Sequence, residues 1–558
     1  MATIFSAEQL NTMDQTALIR IILEQQTQLA EQGLLLKQQI EQTKSLSNQV
    51  ELLIEQVRIA NQNRFGKKTE RLDAIDGQLS LFNEAEVTAD PNTPEPEVEE
   101  VVVKAHKRTK KKGKRDEDLS GFPTEQHMHP VPLDELNAYF GEGNWRKLPD
   151  ETFKKLRFEP ASYTVEEHTV EVYVGTGGDH QDEFLRGAHP KSLIEGSIVT
   201  PSLGAAILNG KYVNSLPLYR ISQELARNDL QLSRQTMSNW VLAFAVLFRP
   251  LWELMKSVLL MLPVNQADET PLVVVNGDPS LGEESKLSGK SYMWLHRSGE
   301  YYKDTPIILY EYQTSRHHKH PSEFYRDYHG VLVTDGLQQY HLVEQEVDGL
   351  TNANCWAHAR RDFADACKAM GTKNPALKTS TAYQALELIG GIYHADEKLK
   401  DLDREERYRQ RQLTVKPLVE AFFAWVREKQ SSIEVLPKGK TAQGLNYCIN
   451  QEKYLKVFLT DGDIPIDNSA SERTIRSFCI GKKNWVIQNS TKGARASAII
   501  YSITETAKAN NLKPYEYLKH LLTELPERAD KDGNIDSSQL EDLLPWSKTL
   551  PEECYKRR

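Results

Sequence analysis

The chain has 558 residues, a formal net charge of −10 and 39% hydrophobic residues. This length is too great for one core and predicts three or four domains. The net charge excludes a uniformly basic surface for nucleic acid, so any such binding must depend on local basic patches.

Membrane and secreted classes are also disfavoured. The most apolar window, 241–262, is interrupted by charged residues and predicts a buried helix. The first residues lack a secretory pattern, and five scattered cysteines form no C-x-x-C pair. We therefore expect a cytoplasmic protein without structural disulfides or a membrane partner.

Residues 14–62 predict a long helix. A partial heptad series, typical of a coiled coil, runs along it with flaws at Gly33 and Ser47. Its positions are Ile22, Leu29, Leu36, Thr43, Val50 and Val57. The functional interpretation is homo-oligomerisation, and the alternative is a helix folded against its own chain.

Residues 87–118 are typical of a charged linker, with an acidic block followed by eight basic residues between Lys104 and Arg115. The basic run either contacts phosphates or is a solvated tail. Residues 125–190 alternate apolar and polar positions and predict a small β-rich module. Its histidines are not at ligand spacing, so zinc is not expected there.

Residues 200–248 predict helices, with Pro217 at one helix start and Ser233 as an N-cap. Two helices joined by a short turn suggest a helix-turn-helix. Its second helix would present Arg234, Gln235 and Thr236 to DNA. The alternative is an ordinary helical hairpin.

Three strand-like runs follow at 273–275, 291–297 and 305–312, then a helix at 323–328 and a strand at 331–335. Three strands, a helix and a fourth strand is the order of a ribonuclease-H-like core. The first and fourth strands of such a core are neighbours, which would bring Asp268 and Asp335 together.

A third acid, Glu472, opens a later helix. Three carboxylates from Asp268, Asp335 and Glu472 would form an oxygen-only site for two Mg²⁺ or Mn²⁺ ions, suited to phosphodiester chemistry. Each acid alone is explained as a cap, a turn residue or a partner of Arg476, but the set favours a site. Glu269 should point to the opposite face and is the weaker ligand.

Basic residues accompany these acids. Arg473, Arg476, Lys482 and Lys483 follow Glu472, and Trp485 either stacks on a base or, as we favour, packs in the core. Cys355 and His358 have C-x-x-H spacing, for which we expect a positioning role. Arg360 and Arg361 beside them face either DNA phosphates or solvent.

Ordered motifs identify the chain as resembling a DDE transposase of the insertion-sequence family numbered sixty-six. They are RFGKKTERLD and QLSLFNEAE (64–86), LPLYRISQELAR (216–227), LSRQTMSNWV (232–241), ADETP (267–271), DG (335–336), CWAHARRDF (355–363), IDNSASERTIR (466–476), GKKNW (481–485) and GARASAIIYSITETAKANNLKPYEYL (493–518). Many relatives carry a cysteine zinc ribbon, which this chain lacks before Cys355.

The resemblance implies metal-dependent cleavage of element ends and joining to target DNA. It also supports a zipper-like N-terminus and a bacterial, nucleoid-associated protein, with accessory proteins of the same element as possible partners. Two alternatives are a nuclease of the same fold that cuts without joining, and a domesticated or inactive DNA-binding remnant.

The expected fold class is multidomain α+β. The segments are a coiled coil (1–65), a motif and charged linker (66–124), the β-rich module (125–195), the helix-turn-helix region (196–262), the first part of the catalytic core (263–375), a helical insertion (376–455), the second part of the core (456–500) and a helical tail (501–558).

Overall fold

A computed structural model describes residues 13–65, short stretches between 132 and 190, and 191–557 with gaps at 288, 372–373, 431–434 and 531–532. The chain divides into two compact units, one formed by 1–70 with 191–556 and the other by 71–190 with the last two residues. The fold class is α+β, as predicted. The predicted linker (87–118) and most of the predicted β-rich module lie outside the described residues.

The N-terminal segment is one helix, α1 (Gln15–Phe65). Its C-terminal part contacts its own chain, where Glu55 accepts hydrogen bonds from the backbone N–H of Lys440 at 3.2 Å. The heptad residues Leu29, Leu36 and Val50 are 67%, 58% and 55% exposed. The face that contacts the chain is therefore not the heptad seam, which is open along the helix.

A small antiparallel hairpin consists of β1 (Val172–Val174) and β2 (Phe184–Arg186). The alternation that predicted strand structure before residue 172 is not realised, since 162–171 have no regular structure. Among the residues that the structure describes, none covers Val165, whose side chain is 91% exposed. Alternation stabilises a strand only when one face packs on a core.

The 200–248 region is helical, as predicted. Its helices are α2 (Pro201–Leu208), α3 (Leu218–Arg227) and α4 (Arg234–Met261). Pro217 precedes α3, and Ser233 caps α4 by accepting a hydrogen bond from the Thr236 N–H at 3.0 Å. The apolar window 241–262 falls within α4 and its end, and contributes buried residues to the core.

A mixed sheet follows. Its elements in chain order are β3 (Val264–Leu272), β4 (Val274–Asn276), β5 (Ser291–Ser298), β6 (Ile308–Gln313), α5 (Lys319–Phe324), β7 (Gly330–Thr334), α6 (Gln338–Glu346), β8 (Leu350–Asn354) and α7 (Trp356–Met370). The five-stranded sheet has the order β6-β5-β3-β7-β8. β5 is antiparallel to β3 and β6, while β7 is parallel to β3 and β8.

The strand that carries Asp268 is therefore adjacent to the strand before Asp335, but two of the predicted elements were misplaced. The first strand runs through Asp268 itself, and residues 274–276 form the separate strand β4. The helix before β7 covers Lys319–Phe324 rather than 323–328. The pair α6 and β8 was not predicted, because the polar sequence LTNAN carries little strand signal.

The region between β8 and Glu472 is helical, as the predicted insertion required. Its helices are α8 (Thr381–Glu397), α9 (Arg404–Gln410), α10 (Lys416–Gln430), α11 (Lys440–Asn450) and α12 (Glu452–Leu455). After it come α13 (Ser469–Trp485), β9 (Gln488–Ser490), α14 (Thr491–Ala509) and α15 (Pro514–Arg528). β9 pairs in parallel with β4.

α14 lies along the edge strand β6 and crosses the boundary expected at 500/501. The Ser502 hydroxyl accepts from the Tyr310 N–H at 2.7 Å, and the Thr506 hydroxyl from the Ile308 N–H at 3.0 Å. Side chains thus satisfy edge N–H groups that would otherwise be open. In the part of the chain that the structure describes, no helix has both the length and the apolarity to cross a membrane.

The open heptad seam of α1 predicts self-association. Replacing Leu29, Leu36 and Val50 with serine should convert the oligomer to monomers in sedimentation velocity, because exposed apolar side chains at heptad spacing stabilise a helical partner. Serine at Glu31 and Gln38, two positions beyond seam residues, is the control and should leave the mass unchanged. An unchanged mass for the seam variant would rule out this interface.

Candidate active site

Asp268 lies inside β3, beside the end of β7. The parallel register pairs Val264 with Val331 and Gln266 with Val333. Continued by two residues, this register sets Asp268 next to Asp335, which directly follows β7. Aligned residues of neighbouring strands point to the same face, so both carboxylates share one side of the sheet.

That side of β3 faces α13. Gln266 donates to the backbone carbonyl of Asp467 at 3.4 Å and to Asn468 Oδ1 at 3.2 Å. Thr270 Oγ1 lies 3.6 Å from Cys479 Sγ. Because residues 266, 268 and 270 alternate to one face, the Asp268 side chain also projects towards α13.

Glu472 lies in the first turn of α13, whose beginning is fixed to β3. Asn468 Nδ2 donates to the carbonyl of Ala267 at 2.7 Å. Asn468 is the N-cap residue of α13, but its side chain makes no capping hydrogen bond. Asp467 accepts a hydrogen bond from the Ser469 N–H at 2.9 Å. The Asn468 side chain is bonded to β3.

The three predicted acids are coupled electrostatically. Burial raises the pKa of Asp268 well above its ordinary value, and the charge of Glu269 raises it next. The charges of Asp335 and Glu472 raise that pKa further, against a hydrogen bond from the Glu269 N–H. Ionised Asp268 is thus destabilised by burial and by the neighbouring carboxylates.

The donor set fits a hard divalent cation, because it consists of carboxylate oxygens with unbalanced negative charge. Among the described residues, however, no group of three or more His, Cys, Asp and Glu side chains has an arrangement that would hold a metal ion. The acids are close enough to influence one another, but their side chains do not meet at one coordination point.

Glu269 occupies the opposite face, as alternation predicted. Its side chain is 1% exposed, forms an ion pair with Arg316 and accepts from the Tyr340 hydroxyl at 2.6 Å. Burial and the Asp335 charge raise the pKa of Glu269, while Tyr340 and Arg316 lower it. Its oxygens are already engaged, which makes it a poor metal ligand.

The C-x-x-H pair contacts the start of α13. Cys355 is fully buried, and its Sγ accepts from the Asn468 N–H at 3.1 Å. Burial raises the pKa of this thiol, so it remains protonated. His358 Nε2 lies 3.7 Å from Glu472 Oε1. The C-x-x-H motif predicted the spacing of Cys355 and His358. It did not predict their contacts with Asn468 and Glu472, which lie more than one hundred residues further along the chain.

The predicted basic residues differ in their surroundings. Lys482 donates to the carbonyl of Pro271 at 2.7 Å and to Thr270 Oγ1 at 3.3 Å, while Lys483 is exposed. Arg473 is exposed, 3.9 Å from Glu300. Trp485 packs edge-to-face on Phe478 with ring centroids 5.7 Å apart, the core role that the sequence favoured.

The remaining predicted DNA contacts lie on two other helices. Arg360 is half-buried and Arg361 is exposed, both on α7. Arg234 and Gln235 are exposed at the first turn of α4, and Arg234 lies 5.5 Å above the ring of Tyr219. Thr236 contributes its N–H to the Ser233 cap. The structure therefore does not gather all predicted basic residues at one site.

Comparison with known families agrees with the motifs. Residues 196–496 match the model described as Transposase IS66 family, and 502–546 match the IS66 C-terminal element. Residues 52–125 match a model described as Transposase C of IS166 homeodomain. The first match covers more than half of the chain, and the chain belongs to the IS66 family of transposases.

Curated relatives from Sinorhizobium fredii are similar over much of the chain. The uncharacterised protein y4jD is 26% identical over 375 residues, 66% of this chain and 70% of the relative. Uncharacterised y4qI is 28% identical over 382 residues, 66% of each chain, and y4hP is 23% identical over 357 residues, 62% of each. For y4qI and y4hP, less than two thirds of the relative's length is covered.

The raised pKa of Asp268 predicts a pH-dependent stability difference. A group whose pKa is higher in the folded state contributes stability at low pH and loses it as pH rises through the folded pKa. Without divalent metal, Asp268→Asn should therefore melt on the order of 2 °C higher than wild type at pH 7. The difference should shrink as pH falls towards 4, in differential scanning calorimetry.

Asp304→Asn removes a similar charge from an exposed turn and should not change the melting temperature. Adding Mg²⁺ should stabilise wild type more than Asp268→Asn, because a bound cation stabilises only the folded state. A lower melting temperature for metal-free Asp268→Asn at pH 7 would contradict the electrostatic interpretation.

Proposed function

We propose that this protein is a DDE transposase that cleaves the ends of an insertion sequence and joins them to target DNA. Family membership supports a transposase role with DNA as partner. The observation that carries the finer proposal is the adjacency of Asp268 and Asp335 in the β3–β7 register, with Glu472 coupled to Asp268. The expected place of action is the bacterial nucleoid.

A ribonuclease-H-like core is proposed from the sheet. Numbered along the chain without β4, its strand order is 3-2-1-4-5, with only the second strand antiparallel to the rest. Asp268 and Asp335 lie two residues beyond the last paired residues of the parallel strands β3 and β7. Ligands in open α/β sheets bind outside the carboxyl ends of such strands.

Asp268, Asp335 and Glu472 would hold two Mg²⁺ or Mn²⁺ ions, which supply positive charge for the attacking and leaving oxygens of a phosphodiester. His358 would orient the Glu472 carboxylate, and Cys355 would hold the helix that carries it. Arg316 and Tyr340 keep Glu269 on the other face. The basic side chains of α13 would bind the phosphate backbone.

Removing any one carboxylate should abolish both cleavage and strand transfer. Asp268→Asn, Asp335→Asn and Glu472→Gln should each lose more than the roughly 10–100-fold that changes outside the ligand set cost. Binding to element ends should survive, because other segments provide it. Mg²⁺ or Mn²⁺ should support activity, whereas Ca²⁺ should support little chemistry because its coordination is looser.

Glu269→Gln is the matched control. It keeps an acceptor oxygen for Tyr340 and should be much milder than Asp268→Asn in the same gel assay. Near wild-type joining by Glu472→Gln would remove Glu472 from the ligand set. Cleavage by wild type without any joined product would instead favour a nuclease of the same fold.

Recognition of element ends is proposed for the first turn of α4. Arg234→Ala or Gln235→Ala should reduce the preference for ends over random DNA by about 1–3 kcal/mol if either contacts a base. Arg249→Ala removes an equal charge from the same helix, about 22 Å further along, and should not change this preference. Competition binding with both DNAs measures the difference.

Neutralising Lys110, Lys111 and Lys112 should weaken binding to all DNA and reduce the salt slope by about one per lysine that contacts a phosphate.

Equal loss of binding to specific and random DNA for Arg234→Ala would contradict the helix-turn-helix assignment. Residues 52–125, which match the homeodomain model, would then be the candidate for specific DNA binding.

A further inference from the structure

The turn that follows α13 has an unusual backbone. Val486 has φ 61° and ψ −54°, a combination that β-branched residues rarely adopt. The Ile487 N–H donates to the carbonyl of Trp485 at 2.7 Å, so Val486 is the central residue of a strained γ-turn. Such strain persists only where surrounding contacts fix it.

Contacts on both sides of Val486 do fix it. The Asn484 side chain donates to the carbonyl of Ser215 at 2.9 Å, and Trp485 packs on Phe478. Beyond the turn, the Gln488 N–H donates to the carbonyl of Val273 at 2.9 Å. The chain before and after the turn is therefore anchored, while its apex is not covered.

The apex is apolar and exposed. Val486 is 66% exposed and Ile487 51%. Val273, just before β4, is 50% exposed, and Val275 in β4 is 38% exposed, on either side of the buried Val274. We call these four exposed residues the apolar tip. Strain that holds apolar side chains in solvent indicates a binding role rather than a packing one.

The basic face of α13, which leads to the apolar tip, favours a polyanion. Between Glu472 and Arg495 the sequence has no acid. Arg476 and Lys483, four and eleven positions after Glu472, lie on the same face of α13 as that acid. A basic face that leads from the proposed cleavage site to an apolar projection matches duplex DNA, whose phosphates attract cations and whose base steps accept apolar wedges.

Helix geometry gives the distance between the proposed cleavage site and the apolar tip. From Glu472 to Trp485, α13 advances about 20 Å at 1.5 Å per residue. Base pairs are spaced about 3.4 Å apart, so DNA that follows the basic face would meet the apolar tip about six base pairs from the phosphate at the acids.

We propose that the apolar tip is a wedge, with Val486 and Ile487 inserting at a base step about six base pairs from the cleaved phosphate and partly unstacking it. This inference rests on the proposed function for the position of the cleaved phosphate. Insertion would cost the stacking contact at that base step, but the bent duplex that results would contact more of the protein.

The test uses full-length Asp268→Asn protein, which binds but should not cleave, and duplexes that carry the inverted repeats flanking the gene. 2-Aminopurine is placed at successive positions on both sides of the cleavage point. We expect a fluorescence rise confined to about the sixth base pair. The additional changes Val486→Ser and Ile487→Ser should abolish this rise, whereas Leu281→Ser, at another exposed apolar residue, should not.

A second measurement distinguishes loss of the wedge from misfolding of the turn variant, which carries Val486→Ser and Ile487→Ser. In protein with Asp268 intact, the Val486→Ser and Ile487→Ser changes should slow cleavage of fully paired ends. A mismatch at the sixth base pair should restore the rate, because the step is already unstacked. A folded protein whose deficit is the same on paired and mismatched DNA would overturn the wedge.

The outcomes separate this inference from the proposed function. Cleavage by wild type without any 2-aminopurine signal in the Asp268→Asn complex overturns the wedge alone. A localised signal without cleavage by wild type supports the wedge and contradicts the proposed chemistry. If the turn variant loses self-association in sedimentation while the DNA signal is unchanged, the tip is an interface between copies and the wedge is wrong.

Discussion

Everything at the candidate site depends on how the beginning of α13 is fixed against β3. Asn468 is fully buried, donates to Ala267, accepts from Gln266 and donates its N–H to Cys355 Sγ. A buried amide is costly unless its hydrogen bonds are made, so these three bonds permit one orientation. Glu472 lies one helical turn further on, and its position relative to Asp268 follows from them.

The helical insertion contributes to the same constraint. Arg411 is fully buried, pairs with Asp396 at 2.7 Å, and donates to carbonyls in 458–464. A buried guanidinium destabilises a protein unless its donors are satisfied, and here they hold the segment that leads into α13. The Tyr393 hydroxyl also donates to Asp467 at 2.9 Å. The insertion is therefore part of the framework that carries Glu472.

Local patterns predicted local features well. The strand before Asp335, the Ser233 cap and the alternation of Asp268 with Glu269 follow from periodicity or side-chain chemistry. The first strand was expected at 273–275 and instead runs through Asp268. The contacts of Asn468 and Cys355 join segments far apart in the chain and leave no periodic signal. The expected strand before residue 172 is absent from 162–171, although the alternating pattern is present there.

The two faces of β3 divide the negative charge of the site. On one face Arg316 and Tyr340 engage Glu269, which leaves it no free role in binding a cation. Yet after burial the Glu269 charge contributes most to the raised pKa of Asp268, ahead of Asp335 and Glu472. The neighbour whose charge most disfavours ionised Asp268 is thus itself engaged in contacts on the other face of the strand.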